Sequence, residues 1–456
     1  MTSLPIGYLM RPLLLRQDRM LKLFVLLMLS SSAFSAEIIF RSKLKPDQII
    51  SSLQAHMVSA LKVDYLSQEL GIYSLTTPDF FSPSDVARES QRIRSIPGVI
   101  YVSKNSFLKN RSETSFNAEE FWNNNSTNKF SSKAHSAWQT FGEPAVNQLG
   151  QEVVVGIVEA TSAAAHRTLD HSFWRNKAEI PGNKIDDDRN GYVDDVSGIN
   201  AAIGGHTTHV AGIIASTQYG VARQVKILSV GYSSLSNLST TAAAIKAYEY
   251  MMVQKRRWFL TNGRQGANIV SINSSFGLDY ENCQAPEHIV WNDIFNELGK
   301  LGILSVVATT NDKVNVDVKY DIPSTCTSPW VIAVGNIGST GVSGGGFGPK
   351  NIDLFAQGEN ILSTTSNQGT EVMSGTSMAT PHVAGGVGYL HLIAPRSFQQ
   401  QYMQGPEKAA YYLRSIILKS TSQHGQYNNL NAEAGVFNLL NASKLLHGKP
   451  INRYQF

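Results

Sequence analysis

The apolar positions of this chain change character along its length. Residues 37–40 read as a strand, and Ile49, Ile50, Leu53, Met57 and Leu61 recur at helical spacing, predicting an amphipathic helix over 47–63. A strand over 71–75, a helix over 83–96 and a strand over 99–102 complete a small α+β sandwich. Residues 109–132 are polar, with Asn-Asn-Asn-Ser-Thr-Asn at 123–128, and read as a linker because such a composition buries no core. From Ala134 onward, short apolar strands alternate with helical patterns, which predicts a mostly parallel sheet with helices on both faces. One of these strands, Val-Val-Val-Gly-Ile-Val-Glu at 153–159, ends on the carboxylate of Glu159.

Composition narrows the class. With 456 residues, 42% hydrophobic and 16% charged, the chain reads as globular with a large core. A net charge of +4 with scattered basic residues, Lys255-Arg256-Arg257 being the densest group, gives no argument for nucleic acid. Arg11, Arg16, Arg19 and Lys22 precede the apolar run 23–29 and then small residues up to Ala36, the pattern of a secretory signal peptide. That run is shorter than the roughly 20 apolar residues a bilayer span needs, so stable membrane association is not expected. The expected location is periplasmic or extracellular.

The densest chemistry lies at residues 374–385, Ser-Gly-Thr-Ser-Met-Ala-Thr-Pro-His-Val-Ala-Gly. It sets Ser377 at the start of a helix, where unpaired N–H groups and the macrodipole favour developing negative charge. A hydroxyl needs a base and an oxyanion hole to act as a nucleophile. Gly-Gly-His-Thr-Thr-His at 204–209 offers His206 on the first turn of an apolar helix. A strand-end acid, a helix-start His and a helix-start Ser follow one another in the order of the subtilisin triad. On these motifs the chain resembles the subtilases, serine peptidases of the subtilisin type.

The resemblance extends over roughly 135–447. Val-Val-Ala-Thr-Thr-Asn at 306–311 resembles the strand carrying the family's oxyanion Asn, and Ser-Ser-Phe-Gly at 274–277 the strand on which substrate lies. Residues 320–324 through 330–335 resemble the segment closing the specificity pocket, 353–358 and 361–364 the stretch before the nucleophile, and 435–438 with Ala442 the closing helix. The resemblance implies a three-layer subtilisin-like α/β domain over 133–447 with a tail at 448–456. Before it are expected a signal peptide over 1–36, an inhibitory propeptide over 37–108, with a permanent N-terminal domain as the alternative, and the linker over 109–132. It implies a secreted serine endopeptidase made as an autoprocessed zymogen and acting on polypeptides. Ser377 is its expected nucleophile, His206 its base, and Asn311 with the Ser377 N–H its oxyanion hole. Ser275, Phe276, Gly277, Ala308, Thr309 and Thr310 are expected to bind substrate, with a mild apolar preference. Its own propeptide is the other expected partner, and a monomer the expected state. His209 and His382 are expected to be packed, hydrogen-bonded residues.

The acid departs from the family pattern. Glu-Ala-Thr stands at 159–161 where subtilases carry Asp-Thr-Gly or Asp-Ser-Gly, and Thr207 and Thr310 also occupy family Gly positions. Glu159 keeps the charge and adds a methylene, while a β-branched Thr161 is strained if its backbone needs positive φ. These departures leave an alternative, a catalytically silent subtilase-fold protein that binds peptides. Asp186, Asp188, Asn190 and Asp194 follow an Asp-x-Asp-x-Asn-Gly-x-x-Asp spacing suited to calcium, the alternative being a solvated loop capped by its own backbone. No organic cofactor is expected. Cys283 and Cys326 suit one disulfide in an exported protein, two separate buried thiols being the alternative.

Overall fold

The computed structural model describes residues 38–54, 62–76, 83–111, 113–114, 124, 127–199, 202–233, 240–341, 344–433 and 435–451. The expected signal peptide lies outside them, as do Met57 and Leu61. The N-terminal unit runs β1 (Ile38–Ser42), α1 (Pro46–Gln54), β2 (Lys62–Ser67), β3 (Ile72–Thr76), α2 (Pro83–Arg94) and β4 (Val99–Lys104). Its sheet is antiparallel in the order β2-β3-β1-β4. The helix expected over 47–63 ends at Gln54 among the described residues, and 62–67 form a strand the sequence reading missed. Val63 and Tyr65 alternate there with Lys62 and Asp64, a period of two that the preceding helical stripe concealed.

Alternation also gives this sheet two buried faces. Ile38 and Phe40 pack with Ile49, Leu53, Leu75, Ile93 and Val102 in the unit's own core. Ile39 points the other way and joins Leu66, Leu70 and Ile72 in the core of the larger unit. Polar contacts flank that seam. Arg41 and Tyr101 both meet Asp293, Ser67 donates to Glu249, and Arg256 pairs with Glu69.

Next come β5 (Lys109–Asn110) and β6 (Glu113–Thr114), then α3 (Ala134–Phe141), β7 (Val154–Glu159), α4 (Gly205–Ala215), β8 (Lys226–Gly231), α5 (Thr241–Leu260), β9 (Ile269–Ser274) and β10 (Phe276–Asp279). After them run α6 (Val290–Lys300), β11 (Leu304–Ala308), α7 (Val316–Lys319), β12 (Asp321–Ile322), β13 (Val331–Ile337), β14 (Leu354–Gln357), β15 (Ile361–Thr364) and β16 (Thr370–Ser374). The chain closes with α8 (Thr376–Ile393), α9 (Arg396–Gln404), α10 (Pro406–Lys419), β17 (Ser422–Gln423), β18 (Gly435–Val436) and α11 (Leu439–Leu446).

The main sheet has the order β17-β18-β14-β13-β11-β9-β7-β8 and is parallel apart from its β17 edge. Its central strands are buried throughout because α4 and α8 cover one face while α5, α6 and α10 cover the other. The chain steps from β7 out to β8 and returns to β9 on the far side of β7. The strand order reverses there, and at such a point the carboxyl ends of the strands open a crevice. No helix among the described residues is long and apolar enough to cross a membrane.

The expected linker over 109–132 is only partly a linker. β5 pairs antiparallel with β10, and β6 pairs antiparallel with β16. Main-chain ladders need no apolar side chains, so composition could not reveal them.

Candidate active site

Glu159 ends β7 at the strand-order switch and is fully buried. Its Oε1 accepts the Ser275 N–H at 3.0 Å, just past β9. Its Oε2 faces Nδ1 of His206, on the first turn of α4, at 3.5 Å. That is a close approach, longer than an ordinary hydrogen bond. Glu159 Oε2 and both ring nitrogens of His206 are buried with no hydrogen-bond partner among the described residues. Buried polar atoms are nearly always paired, so such a facing set marks a place built for more than stability. The carboxylate's charge, after burial itself, also pushes the Tyr232 phenol well above its ordinary value.

Ser377 sits on the first turn of α8, after Gly375, whose φ of 140° lies where only glycine rests without strain. Ser377 and Ser275 exchange two hydrogen bonds. The Ser377 hydroxyl donates to the Ser275 carbonyl at 3.0 Å, and the Ser275 hydroxyl donates to the Ser377 carbonyl at 3.2 Å. Pro381 explains the second bond. Lacking an N–H, it cannot serve the Ser377 carbonyl one helical turn back, so Ser275 does.

Asn311 follows β11. Its Oδ1 accepts from the Thr376 N–H and hydroxyl, each at 3.0 Å, which leaves the amide nitrogen as the end available to a ligand. The Ser377 N–H meets a partner from far up the chain, the carbonyl of Arg111, at 3.0 Å. Arg111 lies between β5 and β6, so a length of this chain runs through the crevice with its main chain paired on either side.

The threonines at the family's glycine positions are accommodated without strain. Thr161, Thr207 and Thr310 are absent from the described non-glycine residues at positive φ. The Thr161 and Thr207 hydroxyls lie 2.6 Å apart and bond each other, so those two departures form one local rearrangement. Thr310 caps its own turn by accepting the Asp312 N–H at 3.2 Å. Phe276 and Gly277 pair with β5, while Ala308 ends β11 and Thr309 follows it, its hydroxyl 3.3 Å from that of Ser324.

His209 is fully buried, with Nε2 facing the Ile361 and Glu371 carbonyls, each at 3.0 Å. Burial pushes its pKa down to about 3, and that of His382 down to about 4. Both are neutral packing residues. Sequence reasoning missed Asp321, which sits fully buried beneath Arg111. A carboxylate within the segment matched to the family's specificity pocket was the available signal.

The acidic loop behaves differently from its spacing. Asp186 accepts the Asn190 and Gly191 N–H groups, and Asp194 accepts those of Gly182 and Lys184. Asn190 bonds Asp195 and the Tyr192 N–H. The carboxylates that converge are Glu179, Asp188 and Asp195, all buried, so of the expected donors only Asp188 belongs to the set. One guanidinium, Arg257, approaches Asp188 at 3.5 Å, and burial raises the Asp188 pKa. The set fits a hard cation, which would offset the remaining negative charge. Cys283 and Cys326 form a disulfide that ties the loop after β10 to the loop after β12.

The subtilase family (peptidase S8) model matches residues 150–436. The chain belongs to the subtilase family. Among curated relatives it is 31% identical over 222 residues to subtilisin-like protease 5 of Arthroderma otae, covering 48% of this chain and 49% of that one. It is 31% identical over 218 residues to alkaline protease 1 of Emericella nidulans, covering 47% of each. This subtilase thus spans about half the length of the curated relatives it matches. Among solved structures it resembles the epidermin leader peptide processing serine protease of Staphylococcus aureus, with TM-score 0.63 and 16% identity over 90% of this chain and 98% of that one. Fervidolysin of Fervidobacterium pennivorans aligns with TM-score 0.59 and 16% identity, over 92% and 62%. At these identities the two structures speak for the fold alone.

Proposed function

We propose that this subtilase is an exported serine endopeptidase made as a zymogen, with Ser377 as nucleophile, His206 as base and Glu159 as the orienting acid. The observation that carries the reading is the Arg111 carbonyl on the Ser377 N–H at 3.0 Å, in a strand paired with the cleft as a bound polypeptide would be. In the reaction the Ser377 hydroxyl turns from the Ser275 carbonyl and attacks the substrate carbonyl, and His206 Nε2 takes its proton. Glu159 holds Nδ1–H and stabilises the imidazolium. The Ser377 N–H and the Asn311 amide nitrogen hold the oxyanion. His206 then protonates the leaving amine, and water releases the acyl group by the same steps in reverse order.

The N-terminal unit is, on this reading, the inhibitory propeptide. Its docked sheet continues directly into the strand that fills the cleft. The disulfide supports a periplasmic or extracellular site of action. Glu179, Asp188 and Asp195 would hold a structural calcium ion. A second reading, a silent peptide-binding protein, is favoured by the 3.5 Å gap between Glu159 and His206. Catalytic hydrogen bonds are often long outside the reacting complex. A fluorophosphonate probe separates the two readings. Covalent labelling of Ser377, abolished in His206→Ala, supports the peptidase, while an unlabelled folded protein supports the binder.

A further inference from the structure

We propose that Asp321 makes this enzyme cut after arginine, and that Arg111–Ser112 is its own maturation bond. Both statements rest on the endopeptidase reading. The carbonyl in the oxyanion position belongs to Arg111, so the bond presented to Ser377 is the one that follows it. Its register is fixed from both sides. Asn110 and Lys109 pair with Phe276 and Gly277, and Glu113 and Thr114 pair with Ser374 and Met373.

The Arg111 side chain fills a closed pocket and is only 2% exposed. Its guanidinium forks onto Asp321, with Nη2 to Oδ1 at 2.6 Å and Nη1 to Oδ2 at 3.2 Å. Nη2 also donates to the Ile322 carbonyl at 3.0 Å and lies 3.6 Å from Asp279. The Ser324 hydroxyl donates to Asp321 Oδ2 at 2.6 Å and fixes the carboxylate from below. The pocket wall is cut to this shape at Gly277. A Cβ there would stand 1.8 Å from Arg111 Nη2 and 2.2 Å from the Ile322 carbonyl, closing the passage.

A carboxylate with no exposed surface is costly to keep ionised unless a cation meets it. An apolar side chain in the pocket would leave the Asp321 carboxylate without a cation, held by Ser324 alone, and would take the Arg111 bond from the Ile322 carbonyl. Sites built around a buried polar group reject ligands lacking its complement strongly. Lysine brings the charge without the planar fork and ranks below arginine. The mild apolar preference expected from the sequence is therefore replaced by a preference for arginine. Cleavage after Arg111 leaves a mature chain beginning at Ser112, and the released propeptide keeps Arg111 as its last residue, a product that fits the pocket.

The test uses the full chain allowed to mature, with active sites counted by fluorophosphonate labelling. Internally quenched peptides differing only in the residue before the cut (Arg, Lys, Phe, Leu or Glu) are then compared. The expected result is a kcat/KM for Arg about 10³-fold or more above Phe, with a new N-terminus at Ser112. In Asp321→Asn the Arg:Phe ratio should collapse toward one. If that variant does not accumulate, Arg111→Ala in the otherwise unchanged chain should mature far more slowly at this bond. A labelled enzyme that favours Phe or Leu, or matures elsewhere, overturns the inference and leaves the peptidase reading standing. A folded protein that takes no label overturns both.

Discussion

One carboxylate links two parts of the site: Glu159 holds the Ser275 N–H through Oε1 at 3.0 Å and faces His206 Nδ1 through Oε2 at 3.5 Å. The longer acid is thus anchored by one oxygen and offers the other to the imidazole. Replacing it by Gln removes the charge and favours the wrong tautomer, so Glu159→Gln should lower kcat by up to about 10⁴-fold. Glu159→Asp keeps the charge but retracts it by about a bond length. A displacement of that order should cost about 10²-fold, contrary to the gain expected if Glu were merely a defective Asp. Steady-state kinetics on labelled, counted enzyme checks both.

Burial raises the Asp321 pKa to about 6 even with the Arg111 guanidinium opposing that shift. The carboxylate binds arginine only when ionised, so binding is full at high pH and lost as pH falls through this value. Without the guanidinium the pKa lies higher still, and the acid limb of kcat/KM should begin above pH 6. The ratio of Arg to Phe peptides cancels the pH dependence of the steps the two substrates share and isolates Asp321. It should fall as pH decreases from 8 to 5, and a flat ratio would count against the assignment.

Arg41 and Tyr101 converge on Asp293, at the seam between the N-terminal unit and α6. The pair is partly exposed, with side-chain accessibility of 23% and 20%, so screening reduces its worth. Asp293→Ala should weaken inhibition by the N-terminal unit added in trans by roughly ten-fold, leaving peptide turnover by the mature enzyme unchanged. Inhibition constants for the two proteins measure this.

Glu179, Asp188 and Asp195 make a calcium-dependent stability the expected result. Calcium at about a hundred times its Kd adds roughly 2.7 kcal/mol, or roughly 4 °C in Tm for a domain of this size. Glu179→Gln should remove most of that rise in a thermal melt. Equal melting points in calcium and in EDTA would mean that the loop is held by its own hydrogen bonds alone.

Much of this was legible in the sequence because it lies in local pattern. The buried strand ending on Glu159, the helix starts at His206 and Ser377, and the small α+β unit all follow from periodicity and turn residues. What escaped was set by contacts distant in sequence. Arg111 meets Asp321 across 210 residues, and its immediate neighbours, Lys109-Asn110 and Ser112-Glu113, are all polar. Glu179 and Asp195 stand outside the alternating acidic spacing and meet Asp188 only through the folding of the loop. The strand at Lys62–Ser67 was hidden because helical and alternating patterns abut there without a break.

The most direct test of the account is the intact mass of the full chain beside that of Ser377→Ala, expressed and purified alike. The account predicts that the unaltered chain loses everything through Arg111, while Ser377→Ala keeps its N-terminal unit. Two folded proteins that both stay full length, or that are trimmed identically, would contradict it.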